Sequence, residues 1–322
     1  MNGPNIAPAP NNEPDQRPSI LVIGGTGHVG APLCNFLLER GHHVTAASRS
    51  DRLVFESPAI NRIQFDVTDL TDPAPLPPST TAIICPWVDD PNETASPWIG
   101  HLLKRLTEVG LDSIIYFSTM WVYGVRPHGL LTESTPAAPT NSYGTAHHRN
   151  ESILTEYSQD LGLNVSILRM ANLVGPDPFY RSRSKISFVH ELVEMAVKDQ
   201  SIVLRFPPST PRNLLTRTLL HHDLAALCDR QTVESRIDVF NLGSGSTTTL
   251  VEVARQIAHL GEGYHGRPVR VEHPGEPITQ PTFHLDTTRI RSLAGPGPDD
   301  LAAELQLVLE DVVKSHTPVN KT

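Results

Sequence analysis

Cysteine is scarce in this chain of 322 residues: Cys34, Cys85 and Cys228 are all there is, odd in number and widely separated. Without a C-x-x-C pair, the pattern argues against a disulfide framework or a structural zinc site and for a reducing compartment, the cytoplasm. Long apolar runs are missing as well. None approaches the roughly 18–20 residues that cross a bilayer, so no membrane span is expected. A positive balance is lacking too: the net charge of −9 disfavours nucleic acid or an anionic membrane surface as the main partner. The N-terminus shows no apolar signal-peptide core. Residues 1–18 hold five prolines and several asparagines, bury too little to order themselves, and read as a disordered leader. The 15 histidines make spaced pairs inevitable, and none of those pairs forms a credible metal site.

What is present begins at Ser19. The apolar run Ser19-Ile20-Leu21-Val22-Ile23 breaks into Gly24-Gly25-Thr26-Gly27-His28-Val29-Gly30, and a helical pattern follows over 32–40. Gly25, Gly27 and Gly30 make G-x-G-x-x-G between a strand and a helix, the setting in which that motif binds a dinucleotide. Bare glycines let the backbone approach a pyrophosphate, and the helix N-terminus offers free N–H groups to the anion. Gly24, Gly25, Thr26, Gly27, His28, Val29 and Gly30 are therefore the first candidate cofactor-binding residues.

Strands and helices alternate after this turn. Apolar strands at 43–48, 62–66, 80–85, 113–118 and 164–169 are separated by helical patterns, notably at 98–109 and 143–161. Near-continuous apolar strands alternating with helices predict a doubly wound α/β fold of Rossmann type, its parallel sheet covered on both faces. Beyond Gly175 the rhythm loosens, and proline-rich connections at 206–212 and 273–281 separate short elements. The expected division is a dinucleotide-binding domain over 19–176, then mainly a smaller substrate lobe over 177–322 that covers the carboxyl edge of the sheet. The run over 237–242 is expected to return to the main sheet.

An NAD site of this type usually places an acid at the end of the second strand, on the ribose 2′-hydroxyl. Here that strand ends in Ser48-Arg49-Ser50. A hydroxyl followed by a guanidinium suits a 2′-phosphate, so NADP is the expected cofactor and NAD the second choice. The plainer alternative makes Arg49 a solvated loop cation neutralised by Asp51. Asp66 is placed either against the adenine amino group or as a helix cap.

Motifs farther along add to this. They are Phe117-Ser118-Thr119-Met120-Trp121-Val122-Tyr123-Gly124, Thr132-Glu133, Ser142-Tyr143-Gly144, Arg169-Met170-Ala171-Asn172-Leu173-Val174-Gly175-Pro176, Asn241-Leu242-Gly243-Ser244-Gly245 and Leu285-Asp286-Thr287-Thr288-Arg289. In order and spacing, with the glycine turn, the chain resembles an extended short-chain dehydrogenase/reductase. Specifically, it resembles the NAD(P)-dependent epimerase/dehydratase family that includes nucleotide-sugar epimerases. The resemblance implies that Thr119 orients a substrate oxygen, with Ser118 beside it at the cofactor. Tyr143 is the acid/base of the family's Y-x-x-x-K motif, whose lysine holds the nicotinamide ribose and lowers the tyrosine pKa.

That lysine is missing. Four residues after Tyr143 stands His147, on the same helix face. It is expected to anchor the ribose, with His148 the weaker candidate. Near its reference pKa of about 6.5 an imidazole is only partly charged at pH 7. Three readings stay open: His147 replaces the lysine in an active enzyme, another group does the acid/base work, or the nucleotide is bound without turnover.

For the substrate, Asn172 matches a family asparagine. Arg183 lies among three cations over 179–185 that suit a phosphate or carboxylate, or simply solvent. Arg212 and Arg217 precede a stretch, 219–223, that resembles the one after the family's diphosphate-contacting arginine, and Arg217 is assigned that contact. Trp87 departs from the small turn usual after the fourth strand and would narrow the nicotinamide end of the pocket. The expected function is an NAD(P)-dependent oxidoreductase or epimerase. It would act on a carbonyl or secondary alcohol of a small metabolite or nucleotide sugar, as a possible homodimer. The alternative is a nucleotide-binding sensor or scaffold of the same fold.

Overall fold

The computed structural model describes residues 18–49, 55, 57–85, 97–125, 127–177, 179–180, 186–230, 236–273 and 281–316. In chain order its first half runs β1 (Ser19–Ile23), α1 (Gly30–Glu39), β2 (His43–Ser48), β3 (Asn61–Gln64), β4 (Thr81–Ile84), α2 (Pro97–Glu108) and β5 (Ser113–Thr119). A 3₁₀ turn (Met120–Tyr123), β6 (Gly129–Leu131), α3 (Ser142–Leu161) and β7 (Asn164–Met170) complete it. The second half runs β8 (Asn172–Val174), α4 (Phe188–Asp199), β9 (Ser201–Val203), β10 (Pro211–Thr216), α5 (Arg217–Cys228) and β11 (Ile237–Leu242). It ends with β12 (Thr247–Thr249), α6 (Leu250–His265), β13 (Arg270–Glu272), β14 (Phe283–Leu285), α7 (Thr288–Ala294) and α8 (Leu301–His316).

Seven strands pair in parallel in the order β11-β7-β5-β4-β1-β2-β3. This is the doubly wound arrangement that the apolar strands predict. The four residues Ile20 to Ile23 are all at most 1% exposed, as a strand covered on both faces requires. On one face Leu33, Leu37, Leu220, Leu224 and Ile290 from α1, α5 and α7 form one core. On the other, Leu102, Leu103 and Leu154 from α2 and α3 form a second. A third core lies between α4, α6 and α8, around Val193, Val253 and Val308, and belongs to the lobe. There β8, β10 and β12 form a small sheet, β9 pairs with β13, and β14 pairs with β6.

Because all seven strands are parallel, their carboxyl ends share one edge. The chain leaves β1 for β2 on one side and later fills the other side with β4, so the strand order reverses between β1 and β4. Ligands of such sheets bind at that crevice. The third strand stops at Gln64, short of the expected 66, because Asp66 Oδ1 accepts from the Thr68 N–H at 2.9 Å and from its hydroxyl at 2.7 Å. Those bonds close a turn. Among the described residues no helix is long and apolar enough to cross a membrane, and the three cysteines are free thiols.

Candidate active site

The glycine turn follows β1 at the crevice. The N–H groups of Gly24 and Gly25 both donate to the Ala47 carbonyl, at 2.8 and 3.1 Å, which folds the turn onto the end of β2. A Cβ on Gly25 would lie 2.7 Å from Ala46 Cβ, and one on Gly30 would overlap the Gly24 carbonyl. The two glycines are therefore fixed by close approach, and they keep the N-terminus of α1 against the sheet edge. Thr26, Gly27, His28 and Val29 are half-buried between them. At the end of β2, Ser48 is buried and Arg49 exposed. Asp66 closes the turn described above; no helix follows it before β4, so it is not a helix cap.

Behind the turn sits Arg217, where sequence reasoning expects a substrate contact. Arg217 is 5% exposed, and its Nη1 donates to the His28 carbonyl at 2.9 Å. His28 Nδ1 in turn lies 2.9 Å from Asp177 Oδ2. As the first residue of α5, Arg217 ties that helix to the glycine turn.

At the end of β5 the Thr119 Oγ1 accepts from the Trp121 N–H at 3.3 Å and opens the 3₁₀ turn. Across from it, Asn141 caps α3 by accepting from the Gly144 N–H at 2.7 Å. That cap places Tyr143 in the first helical turn. Burial pushes the Tyr143 phenol above its ordinary range, while a hydrogen bond from Thr119 pulls it the other way. Thr119 and Tyr143 are thus brought together, from a strand end and a helix start.

His147 lies one turn farther down α3, its ring meeting that of Tyr143 edge-on with centroids 4.6 Å apart. It is 5% exposed. Its Nδ1 lies 2.8 Å from the Tyr116 hydroxyl, which also accepts from Asn150 Nδ2 at 3.0 Å. Among the described residues its Nε2 has no hydrogen-bond partner. Burial drives its pKa down to about 4, so His147 is neutral at pH 7. The partial charge allowed by a reference imidazole is lost to desolvation.

Beneath the pair runs a buried polar network. Ser118 Oγ donates to Glu151 Oε1 at 2.5 Å, and Arg169 grips the same carboxylate at 3.2 and 2.8 Å. Arg169 also donates to the Tyr123 hydroxyl at 3.1 Å, which donates to Asn241 Oδ1 at 2.7 Å. Ser118 is 2% exposed. Its side chain is a partner of Glu151, since residues 116 and 118 alternate onto the strand face that α3 covers.

Over the edge opens a recess lined by Met120, Trp121, Asn172, Arg212, Pro281 and Phe283 among others. Asn172 Nδ2 donates to the Asn213 carbonyl at 3.0 Å. The Arg212 guanidinium stacks over Phe188 at 5.6 Å. Arg212, on strand β10, thus lines the recess that Arg217 does not reach. Trp87 and Arg183 lie outside the described residues, as does the leader over 1–17.

Sequence reasoning missed Tyr116, Asn150 and Glu151. The signal was available: Tyr143, His147, Asn150 and Glu151 fall at i, i+4, i+7 and i+8, one face of α3. Tyr116 carries a hydroxyl amid the apolar Ile114, Ile115 and Phe117 of β5, a polar handle that needs a partner when buried.

Comparison with known proteins fits this geometry. The model of the NAD dependent epimerase/dehydratase family matches residues 20–83 and 92–206. The chain belongs to this family of enzymes. A UDP-glucose 4-epimerase from Corynebacterium glutamicum is 27% identical over 293 residues, covering 81% of this chain and 85% of that protein. A dTDP-4-dehydro-6-deoxy-D-allose reductase from Streptomyces bikiniensis is 23% identical, covering 89% and 94%. In fold the chain is similar to the Thermus thermophilus UDP-glucose 4-epimerase complex with NAD, with a TM-score of 0.74 at 20% identity, covering 92% and 99%.

Proposed function

We propose that this family member is an NADP-linked oxidoreductase or epimerase that interconverts a carbonyl and a secondary alcohol on a nucleotide sugar. The observation that carries the reading is the Thr119–Tyr143 pair at the carboxyl edge, between the glycine turn and the recess of Asn172 and Arg212. The residues fit the cofactor: Gly25 and Gly30 make a cradle that a Cβ would fill, and the buried Nε2 of His147 lacks a partner among the described residues. The turn over 24–30 would hold the pyrophosphate. Ser48 and Arg49 would meet the adenosine ribose and its 2′-phosphate, and His147 the nicotinamide ribose. When bound, the nicotinamide gives or takes a hydride.

The chain's own residues supply the rest. Thr119 Oγ1 and Tyr143 Oη hydrogen-bond the reacting oxygen, and Tyr143 moves the proton. Arg212 would pair with the diphosphate, and Asn172 would orient the sugar. A sensor with little turnover is the second reading, favoured by the neutral His147, which adds no positive charge beside Tyr143.

The test titrates the protein with NADPH and NADH by nicotinamide fluorescence, then incubates it with UDP-glucose and with a dTDP-4-keto-6-deoxy sugar. NADPH is expected to bind more tightly than NADH, and Arg49→Ala to remove the difference. Tyr143→Phe is expected to abolish turnover and spare binding. Absence of binding by either dinucleotide would overturn both readings, while binding without turnover would leave the sensor.

A further inference from the structure

We propose that Tyr116 and Asn150 are positioning residues that lock His147 in one tautomer, with its proton on Nε2, and that this neutral N–H stands in for the family's lysine. The inference rests on the functional reading above and concerns the same site. Asn150 Nδ2 donates to the Tyr116 oxygen at 3.0 Å. In this arrangement the Tyr116 hydroxyl accepts from Asn150 and gives its own proton to His147 Nδ1, 2.8 Å away. A neutral imidazole that accepts at Nδ1 carries its hydrogen on Nε2. That donor is buried, unpartnered among the described residues, and held on the α3 face that Tyr143 shares.

Tyr116 is fully buried and His147 nearly so, and their ring centroids are 5.8 Å apart. A buried donor without a partner costs free energy, so the free protein holds this N–H ready for an acceptor. A ribose hydroxyl supplies one. The lock thus preserves the lysine's hydrogen bond while giving up its charge.

Nitrogen-15 NMR of protein labelled at histidine reads the tautomer, with His147 assigned by its loss in His147→Gln. The proton is expected on Nε2 in the wild type and no longer in that single state in Tyr116→Phe. NADH titration supplies the second readout. Tyr116→Phe is expected to weaken NADH binding roughly three- to tenfold, the worth of one hydrogen bond, and to have no effect in the His147→Gln background. Asn150→Ala repeats the cycle should Tyr116→Phe fold poorly. A proton on Nδ1, or an equal loss in both backgrounds, would overturn the proposal. Failure of the wild type to bind either dinucleotide would instead sink the functional reading and the donor's role with it, while the spectrum still decides the lock.

Discussion

Restoring the family's lysine at position 147 should speed the chemistry and weaken the fold, and both magnitudes follow from the site. Burial moves the His147 pKa from 6.5 to about 4. At 1.36 kcal/mol per pKa unit, charging this position costs about 3 kcal/mol. A lysine there meets the same desolvation. Its amine would titrate near ~8, starting from a reference of about 10.4, so it remains mostly charged at neutral pH. Glu151 is the nearest acid on the helix face, but Arg169 and Ser118 already hold it. His147→Lys should therefore lose about 3 kcal/mol of stability, roughly 5–10 °C in Tm for a chain this size. Against that, a cation about 5 Å from the phenol would be worth about 3 kcal/mol at an effective dielectric of 20, and the facing rings of Tyr143 and His147 put the two positions side by side. The Tyr143 pKa should fall by about two units, and a phenolate-dependent step should accelerate roughly a hundredfold. Ultraviolet difference titration of tyrosinate, with Tyr143→Phe as reference, reads the first effect, and thermal melting reads the cost. An intact His147→Lys fold in which Tyr143 titrates unchanged would refute the reasoning.

Acid should destabilise the protein through the same histidine. Its folded pKa lies below the unfolded value, so the unfolded chain binds the proton more readily. The stabilisation is complete above about pH 6.5 and falls by about 3 kcal/mol as pH drops to about 4; His190, also pushed down to about 4 by burial, acts in the same direction. Thermal midpoints measured across that window should slope less in His147→Gln. Gly30→Ala should abolish binding of both dinucleotides in fluorescence titration, because the new Cβ overlaps the Gly24 carbonyl. The two arginines should separate cleanly: Arg212→Met should weaken UDP binding by calorimetry at least tenfold and leave NADPH untouched. Arg217→Met should weaken NADPH and lower Tm instead, since it strips a buried brace from the His28 carbonyl.

Much of this fold was legible in the chain. Ser19 to Gly30 announces strand, turn and helix by local rules, and the apolar strands at 113–119 and 164–170 allow little besides a covered parallel sheet. The meeting of Thr119 with Tyr143, and Asn172 at the recess beside them, could be anticipated because motif spacing survives folding. Arg217 could not be placed, because burial depends on long-range packing that its flanking residues do not encode. It begins α5 with Thr216 as N-cap, and that single step from strand to helix turns neighbouring arginines to different sides of the lobe. The bond from Ser118 to Glu151 was hidden for a related reason: strand alternation says that 118 and 119 face opposite ways, but the side taken by α3 is a tertiary fact.

The polar face of α3 explains how a strand end and a helix start are held in catalytic register. His147, Asn150, Glu151 and Ser158 are all buried on it, an unusual choice where leucines would pack. Each has a specific mate outside the helix: Tyr116 for the first two, Ser118 and Arg169 for Glu151, and the Arg236 carbonyl for Ser158. A buried ion pair adds little net stability over an apolar pair, yet removing one partner costs about 3–5 kcal/mol. Sliding α3 by one turn would break all of these matches together and strand Glu151 without its cation. A leucine face would tolerate such a slip far better. The network therefore penalises misregister more than it rewards the fold, and it joins β5 to α3 beside the residues Thr119 and Tyr143 that those two elements carry.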